Sequence, residues 1–247
     1  MLQAILFDFN ATLVRSPTWM DLEIRSLPRQ AFDLLAGQGD IAPLSPSDLA
    51  RAEAVFRETR RTADVSLVET SHVDDLTAMV EALELGRQVS AQRIEETVAS
   101  LHKRCVPTAE LIAGAAETLD GLQAMGYRLS IISNAAYSPF LTWTLAQFRI
   151  LNLFEHVIVS ADVRLRKPGL EIFRVTLDRM QLAPEQTAYV GDDFRKDVVA
   201  SNEVGMRSIW YRPDHTPTGD GDESIPDTVV AHLNQIPAWA ANKFERL

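Results

Sequence analysis

The chain has 247 residues, 46% hydrophobic and 23% charged, a mix that supports a packed core and excludes a disordered or fibrous protein. Its formal net charge of −10 opposes binding to nucleic acid backbones or anionic lipid, so any anionic ligand must meet a local positive site. The single cysteine, Cys105, can form neither an internal disulfide nor a cysteine metal cluster, which fits a reducing compartment. Met1–Ala4 lacks the basic start and apolar run of a signal peptide, and no apolar stretch approaches the ~20 residues of a membrane span, so a cytoplasmic chain with no membrane partner is expected.

Leu2–Phe7 is short, apolar and followed by polar residues, the pattern of a buried strand. From about Arg15 to Pro107 the periodicity is helical. Leu22, Leu27, Phe32 and Leu35 suggest one helix interrupted at Pro28. Ser45 before Pro46 and Asp48 predicts a helix start, with the helix running through Val55 and Phe56. Ser71 with Asp74 opens another, ended by Gly86, and Ser90 opens a fourth through Leu101. After Pro107 strands and helices alternate. A helix is predicted at about Ala109–Met125 and a strand at Arg128–Ser133. A helix near Pro139–Phe148 follows, then a strand at His156–Ser160 and a helix at Leu170–Met180. A strand at Thr187–Val190, a helix at Phe194–Val204 and a strand at Arg207–Tyr211 complete the alternation. Pro213–Asp227 reads as a surface loop, and a last helix is expected over Thr228–Asn234. The expected fold is α/β: a doubly wound, Rossmann-like parallel-sheet core (1–14 and 108–247) with an inserted α-helical cap domain (15–107).

In open α/β sheets ligands sit at the carboxyl ends of the strands. Those ends carry Asp8-Phe9-Asn10-Ala11-Thr12, Ser133-Asn134, Arg166-Lys167-Pro168 and Gly191-Asp192-Asp193, with Asp197 one turn later. A carboxylate, a hydroxyl, a lysine and a carboxylate cluster therefore share one edge.

In order and spacing these four segments resemble the motifs of the haloacid dehalogenase-like hydrolases, and Val159–Trp210 looks especially like the phosphatase subgroup. The resemblance implies that Asp8 attacks phosphorus and forms an acyl phosphate, with a small phosphorylated metabolite as partner. It implies that Lys167 supplies positive charge to Asp8 and the phosphoryl group. Ser133, with backbone amides near Asn10 and Asn134, would donate to phosphoryl oxygens, and Thr12 joins this substrate-binding set. The implied cofactor is Mg²⁺, ligated by Asp8, the Asn10 carbonyl oxygen and Asp192, with Asp197 holding metal-bound waters and Asp193 assisting.

Two positions depart from the pattern. Most phosphatases of the family carry Asp where Asn10 stands, and an amide can act as neither general acid nor base. Asn10 fits an enzyme whose leaving group needs little protonation, or an introduced replacement of the Asp. It also fits a metal-independent 2-haloacid dehalogenase, or a phospho-ligand-binding protein with little turnover. The acids from Asp192 to Asp197 favour the phosphatase, because metal-free dehalogenation has no need of them. Ala11 replaces the usual glycine, a small steric change.

Among other residues, Arg57, Arg60 and Arg61 have helical spacing and fit either a substrate anion or a surface charge stripe. Trp19 and Met20 fit a pocket wall or core packing. Arg195-Lys196 reads as a solvated helix face. His72, His102, His156, His215 and His232 show no ligand spacing and receive no role. The sequence identifies neither the substrate nor the oligomeric state.

Overall fold

The computed structural model describes residues 1–213 and 225–244. Its core is a six-stranded sheet built from β1 (Ala4–Phe7), β4 (Arg128–Ser133), β5 (His156–Val159), β6 (Thr187–Gly191), β7 (Arg207–Tyr211) and β8 (Thr228–Val230). The strands run in the order β5-β4-β1-β6-β7-β8, and every pairing is parallel. β1 therefore lies at the centre, with Phe7 registered against Ile131 of β4 and Val190 of β6. All four of its residues are buried, as a strand covered on both faces requires.

Helices cover both faces. On one side Ile172, Phe173 and Leu177 of α9 (Glu171–Met180) pack against Leu6, Ile132 and Tyr189. The larger cluster on the other side contains Leu119 and Leu122 of α6 (Ala115–Ala124) and Phe140, Leu141 and Leu145 of α7 (Ser138–Gln147). The shorter α8 (Ser160–Val163) and α10 (Ala200–Val204) follow β5 and the turn after β6.

A two-residue ribbon, β2 (Val14–Arg15) antiparallel to β3 (Glu110–Leu111), brackets a segment whose other elements are helical. It contains α1 (Pro17–Asp21), a wide π-type turn (Leu22–Ser26), α2 (Leu27–Gly37), α3 (Pro46–Ser66), α4 (His72–Ala82) and α5 (Ala91–Cys105). The expected caps form: Ser45, Ser71 and Ser90 each accept from a backbone N–H three residues on, and Ser71 with Asp74 makes a full capping box. The helical run expected to break at Pro28 changes there from the π-type turn to α2, whose first turn holds the proline.

Other expectations are corrected. The helix expected from Ala109 starts only at Ala115, because Glu110–Leu111 pairs with β2 and Gly114 turns the chain at φ +80°. α4 ends at Ala82, before Gly86, with Glu84 taking a left-handed conformation. Thr228–Val230 is the edge strand β8, and the last helix, α11, is Ile236–Phe244. Three consecutive β-branched residues suit a strand registered against Ile209–Tyr211. Residues 214–224 of the loop expected at Pro213–Asp227 lie outside the described residues, as does His215.

Candidate active site

Asp8 follows the central strand, and its backbone N–H donates to Val190 of β6 at 2.8 Å. The chain then turns tightly: Ala11 donates to Val14, and Leu13 and Val14 both donate to Phe9. Ala11 lies at φ +61°. Glycine is therefore the natural residue here for backbone reasons, and alanine is held in a left-handed conformation that costs about 1 kcal/mol or more. The change from glycine to alanine is therefore one of backbone strain as well as of size.

Lys167 lies on the loop after α8, joined to Pro168 by a cis peptide bond. Its backbone is clamped to the end of β4: Asn134 Nδ2 donates to the Lys167 carbonyl at 2.8 Å, and Lys167 N–H donates to Asn134 Oδ1 at 2.9 Å. The buried ammonium donates to Asp8 Oδ1 at 2.8 Å, Asp197 Oδ1 at 2.6 Å and the Tyr189 hydroxyl at 2.7 Å. Tyr189 in turn donates to the Ile132 carbonyl at 2.8 Å. Burial alone would depress the lysine pKa, but Asp197 and Asp8 overcome this and hold it well above its ordinary value.

One carboxylate oxygen from each of Asp8, Asp192 and Asp197 falls within 4.8 Å of the others. Burial raises all three acids, Asp192 and Asp197 to about 6, and charges within the cluster add to the effect. Asp197 Oδ2 accepts from the Asp193 N–H at 3.0 Å. The close approach depends on Gly191, where a Cβ would lie 2.3 Å from Asp197 Cγ. Asp193 caps the following turn, accepting from Lys196 N–H at 2.8 Å and pairing with its ammonium at 2.9 Å. Burial would raise Asp193, but the bonds to Lys196 hold it below the ordinary range.

A cavity of about 220 Å³ opens onto these groups, lined by Asp8, Asn10, Ser133, Asn134, Lys167, Asp192, Asp193 and Asp197, with Trp19, Met20 and Lys196. Thr12 is the exception among the expected site residues. It is fully buried behind the acids, and its hydroxyl donates to Asp192 Oδ1 at 3.3 Å. It orients a carboxylate instead of facing substrate. Lys196, read as part of a solvated face, lines the cavity. Trp19 and Met20 line it too, while the Trp19 ring also stacks on Phe140 at 4.7 Å.

A second hollow of about 330 Å³ shares Trp19, Met20, Asn134 and Lys196 with the first and adds Glu23, Ile24, Arg60, Asp64 and Arg166. Arg60 is no surface charge: it pairs with Glu69 at 2.7 Å and Asp75 at 3.3 Å. Arg166 pairs with Glu69 and with Asp64 at 2.7 Å, and the Ser160 hydroxyl donates to Glu69 at 2.7 Å. Arg61 is exposed and paired with Glu58, whereas Arg57 lines a separate hollow beside Arg29.

Tyr189, Glu23 and Glu69 carry no local signal in the sequence. Tyr189 lies in a strand buried on both faces, where no alternation marks it. Glu23 lies in a helical stretch that shows only periodicity, and Glu69 in the short link between α3 and α4, where no motif marks it. The residues present fit a divalent cation of the Mg²⁺ class. Three carboxylates converge but the buried lysine pairs with only two of them, Asp8 and Asp197, leaving an acid cluster short of positive charge.

The haloacid dehalogenase-like hydrolase profile matches residues 52–211. The chain belongs to that family. It is 29% identical over 210 residues to the glyceraldehyde 3-phosphate phosphatase of Methanocaldococcus jannaschii, covering 85% of this chain and 84% of that protein. It is 31% identical to the phosphoglycolate phosphatase of Escherichia coli, but spans only 47% of that protein's length. In fold it is similar to a 2-haloacid dehalogenase from Pseudomonas syringae pv. Tomato DC3000, with TM-score 0.71, 20% identity and coverage of 98% of this chain and 100% of that one. A phosphatase structure from Thermococcus onnurineus is also similar, with TM-score 0.66, 20% identity and coverage of 97% of this chain and 98% of that one. Among the described residues, no helix is long and apolar enough to cross a membrane.

Proposed function

We propose that the chain is a Mg²⁺-dependent phosphatase of small phosphorylated metabolites, acting through an aspartyl phosphate on Asp8. The observation that carries this reading is the single cavity onto which Asp8, Lys167, Asp192 and Asp197 all open. The likeness to a glyceraldehyde 3-phosphate phosphatase, over 85% of this chain, supports a three-carbon phosphate as the first substrate class to try.

Asp8 Oδ1 holds Lys167, leaving Oδ2 to attack phosphorus while the bond to the leaving oxygen breaks. Water then hydrolyses the acyl phosphate, releasing inorganic phosphate and restoring the Asp8 carboxylate. Lys167 neutralises Asp8 and fixes the attacking rotamer, and Ser133 with the amides near Asn10 and Asn134 receives phosphoryl oxygens. Asp8, the Asn10 carbonyl and Asp192 would hold the ion, with Asp197 behind it, and the ion would supply charge neutralisation for the transferring group. Asn10 lines the cavity but carries no transferable proton, so the leaving oxygen takes its proton from water and turnover is slow on poor leaving groups.

Residues 15–107 act as the cap that sets substrate choice over a core of 1–14 and 108–247, and Trp19 and Met20 extend from that block into the cavity. The acidic charge and the lone buried thiol of Cys105 fit a cytoplasmic enzyme with no nucleic acid partner. A panel of phosphorylated metabolites assayed beside a 2-haloacid, with and without Mg²⁺, tests the reading. Mg²⁺-dependent phosphate release that disappears in Asp8→Ala supports it. Metal-free halide release points to the dehalogenase, and no release of either to a binding protein.

A further inference from the structure

The histidines that show no ligand spacing in sequence include two that meet in space. His72, at the start of α4, and His102, in α5, are both fully buried, with His72 Nδ1 and His102 Nε2 2.9 Å apart. Tyr137 lies against the His102 ring at 4.5 Å, and Phe56 packs on His72 at 5.9 Å. The carboxylate of Glu23, from the π-type turn, joins them: one ligand-capable atom from each of Glu23, His72 and His102 falls within 4.8 Å of the other two.

Two independent observations show this cluster to be incomplete. The contact between the rings uses only one N–H. Whichever ring donates it, one remaining outer nitrogen is an N–H and the other a lone pair, and among the described residues neither His72 Nε2 nor His102 Nδ1 has a hydrogen-bond partner. Burying such unsatisfied groups is destabilising, and a bound ion would relieve it. The Glu23 carboxylate is also buried beneath the second hollow. Among the described residues its only hydrogen bonds come from the Ala136 N–H, at 3.1 and 3.3 Å, although Arg60 and Arg166 lie near enough to attract it.

The backbone fixes two of the ligands, since Ala136 donates to Glu23 through its N–H and accepts from the His72 backbone N–H at 2.9 Å.

We propose that Glu23, His72 and His102 form a second metal site, separate from the acidic cluster at Asp8, that takes Zn²⁺ or a cation of similar softness. Two imidazoles and a carboxylate suit Zn²⁺ and leave a position for water, whereas Mg²⁺ prefers the all-oxygen set at Asp8. Glu23 lines the second hollow, which gives the ion its access. Once bound, the ion fastens the turn after α1 to α4 and α5, and through Ala136 to the loop after β4.

The test uses the full chain, stripped with EDTA and then saturated with Mg²⁺ to occupy the acidic cluster. Zn²⁺ is titrated calorimetrically and Co²⁺ optically. The expected result is one further ion per chain, with visible d–d bands of a nitrogen-ligated, low-coordinate Co²⁺ and a rise in melting temperature. Asp192→Asn should keep these signals. His102→Asn should abolish them, and Glu23→Gln, which preserves the acceptor for Ala136, should weaken Zn²⁺ binding by about tenfold or more. If His102→Asn fails to fold, the Glu23→Gln titration and the Co²⁺ spectrum of the unaltered protein still decide. Absence of a further ion, equal binding by Glu23→Gln, or loss of the signals in Asp192→Asn overturns the proposal.

Discussion

Glu23 offers a prediction whose size follows from the structure. Its pKa rises from 4.5 to about 7 because burial outweighs the attraction of Arg60 and Arg166 and the hydrogen bond from Ala136. A carboxyl whose folded pKa is raised favours the fold most when protonated. Its contribution is complete below about pH 4.5 and is lost as pH rises through about 7. A shift of that size corresponds to about 3 kcal/mol across the window, at roughly 1.4 kcal/mol per pKa unit. Glutamine is isosteric with the protonated acid and retains the oxygen that accepts from Ala136. In EDTA-stripped protein, Glu23→Gln should therefore melt close to the parent near pH 4.5 and several degrees above it at pH 8, roughly 6–12 °C for a chain of this size. The assay is a melting curve for both proteins at half-unit pH steps, with metal-free buffers throughout. A gap that stays constant from pH 4.5 to 8 would show that Glu23 remains ionised in the fold, and would refute the burial argument.

Three further outcomes are expected. Asn10→Asp should raise kcat/KM for an alkyl phosphate by at least ~10-fold, because general acid–base help is worth about 10²–10⁴ in rate, with a smaller gain on an aryl phosphate; no gain on either would place the proton source elsewhere. Gly191→Ala should cut activity by about tenfold or more, since the new Cβ would fall 2.3 Å from Asp197 and force it off Lys167. Steady-state rates comparable to the parent would show that the approach is not needed. At limiting Mg²⁺, activity should fall as pH drops through about 6, where Asp192 and Asp197 take up protons that the ion must displace, and added Mg²⁺ should move the midpoint lower. A midpoint independent of Mg²⁺ would count against ligation by these acids.

The legible parts of this chain were those written in local chemistry. Serine caps at 45, 71 and 90 marked helix starts because a side-chain oxygen three residues before a free N–H acts locally. The polar residues of one sheet edge could be collected because parallel topology sends every strand end the same way. What stayed hidden depended on contacts distant in sequence. The edge strand Thr228–Val230 is set by its register on β7, and Glu110–Leu111 by pairing with Val14–Arg15 nearly a hundred residues earlier. His72 and His102 stand thirty residues apart on separate helices, so no spacing rule joins them. Thr12 was correctly attached to the first strand end, but which way its hydroxyl points is decided by Asp192, from the far side of the chain.

The charges of the catalytic edge also explain why it needs a cation from outside. An ammonium has three N–H donors, and Lys167 commits them to Asp8, Asp197 and Tyr189, leaving none free for a phosphoryl oxygen. Gripping the phosphate as well as neutralising the nucleophile would require Lys167 to give up one of these bonds, while Tyr189, anchored in turn on Ile132, holds the ammonium in place. Asp192 draws some attraction from Lys167 but makes no ion pair with it, and its nearest hydrogen bond comes from Thr12. A phosphate dianion entering this cavity adds negative charge where the lysine is already shared. Either Lys167 releases Asp197 or further positive charge must arrive with the substrate. The three carboxylate oxygens that converge within 4.8 Å are where that charge would sit.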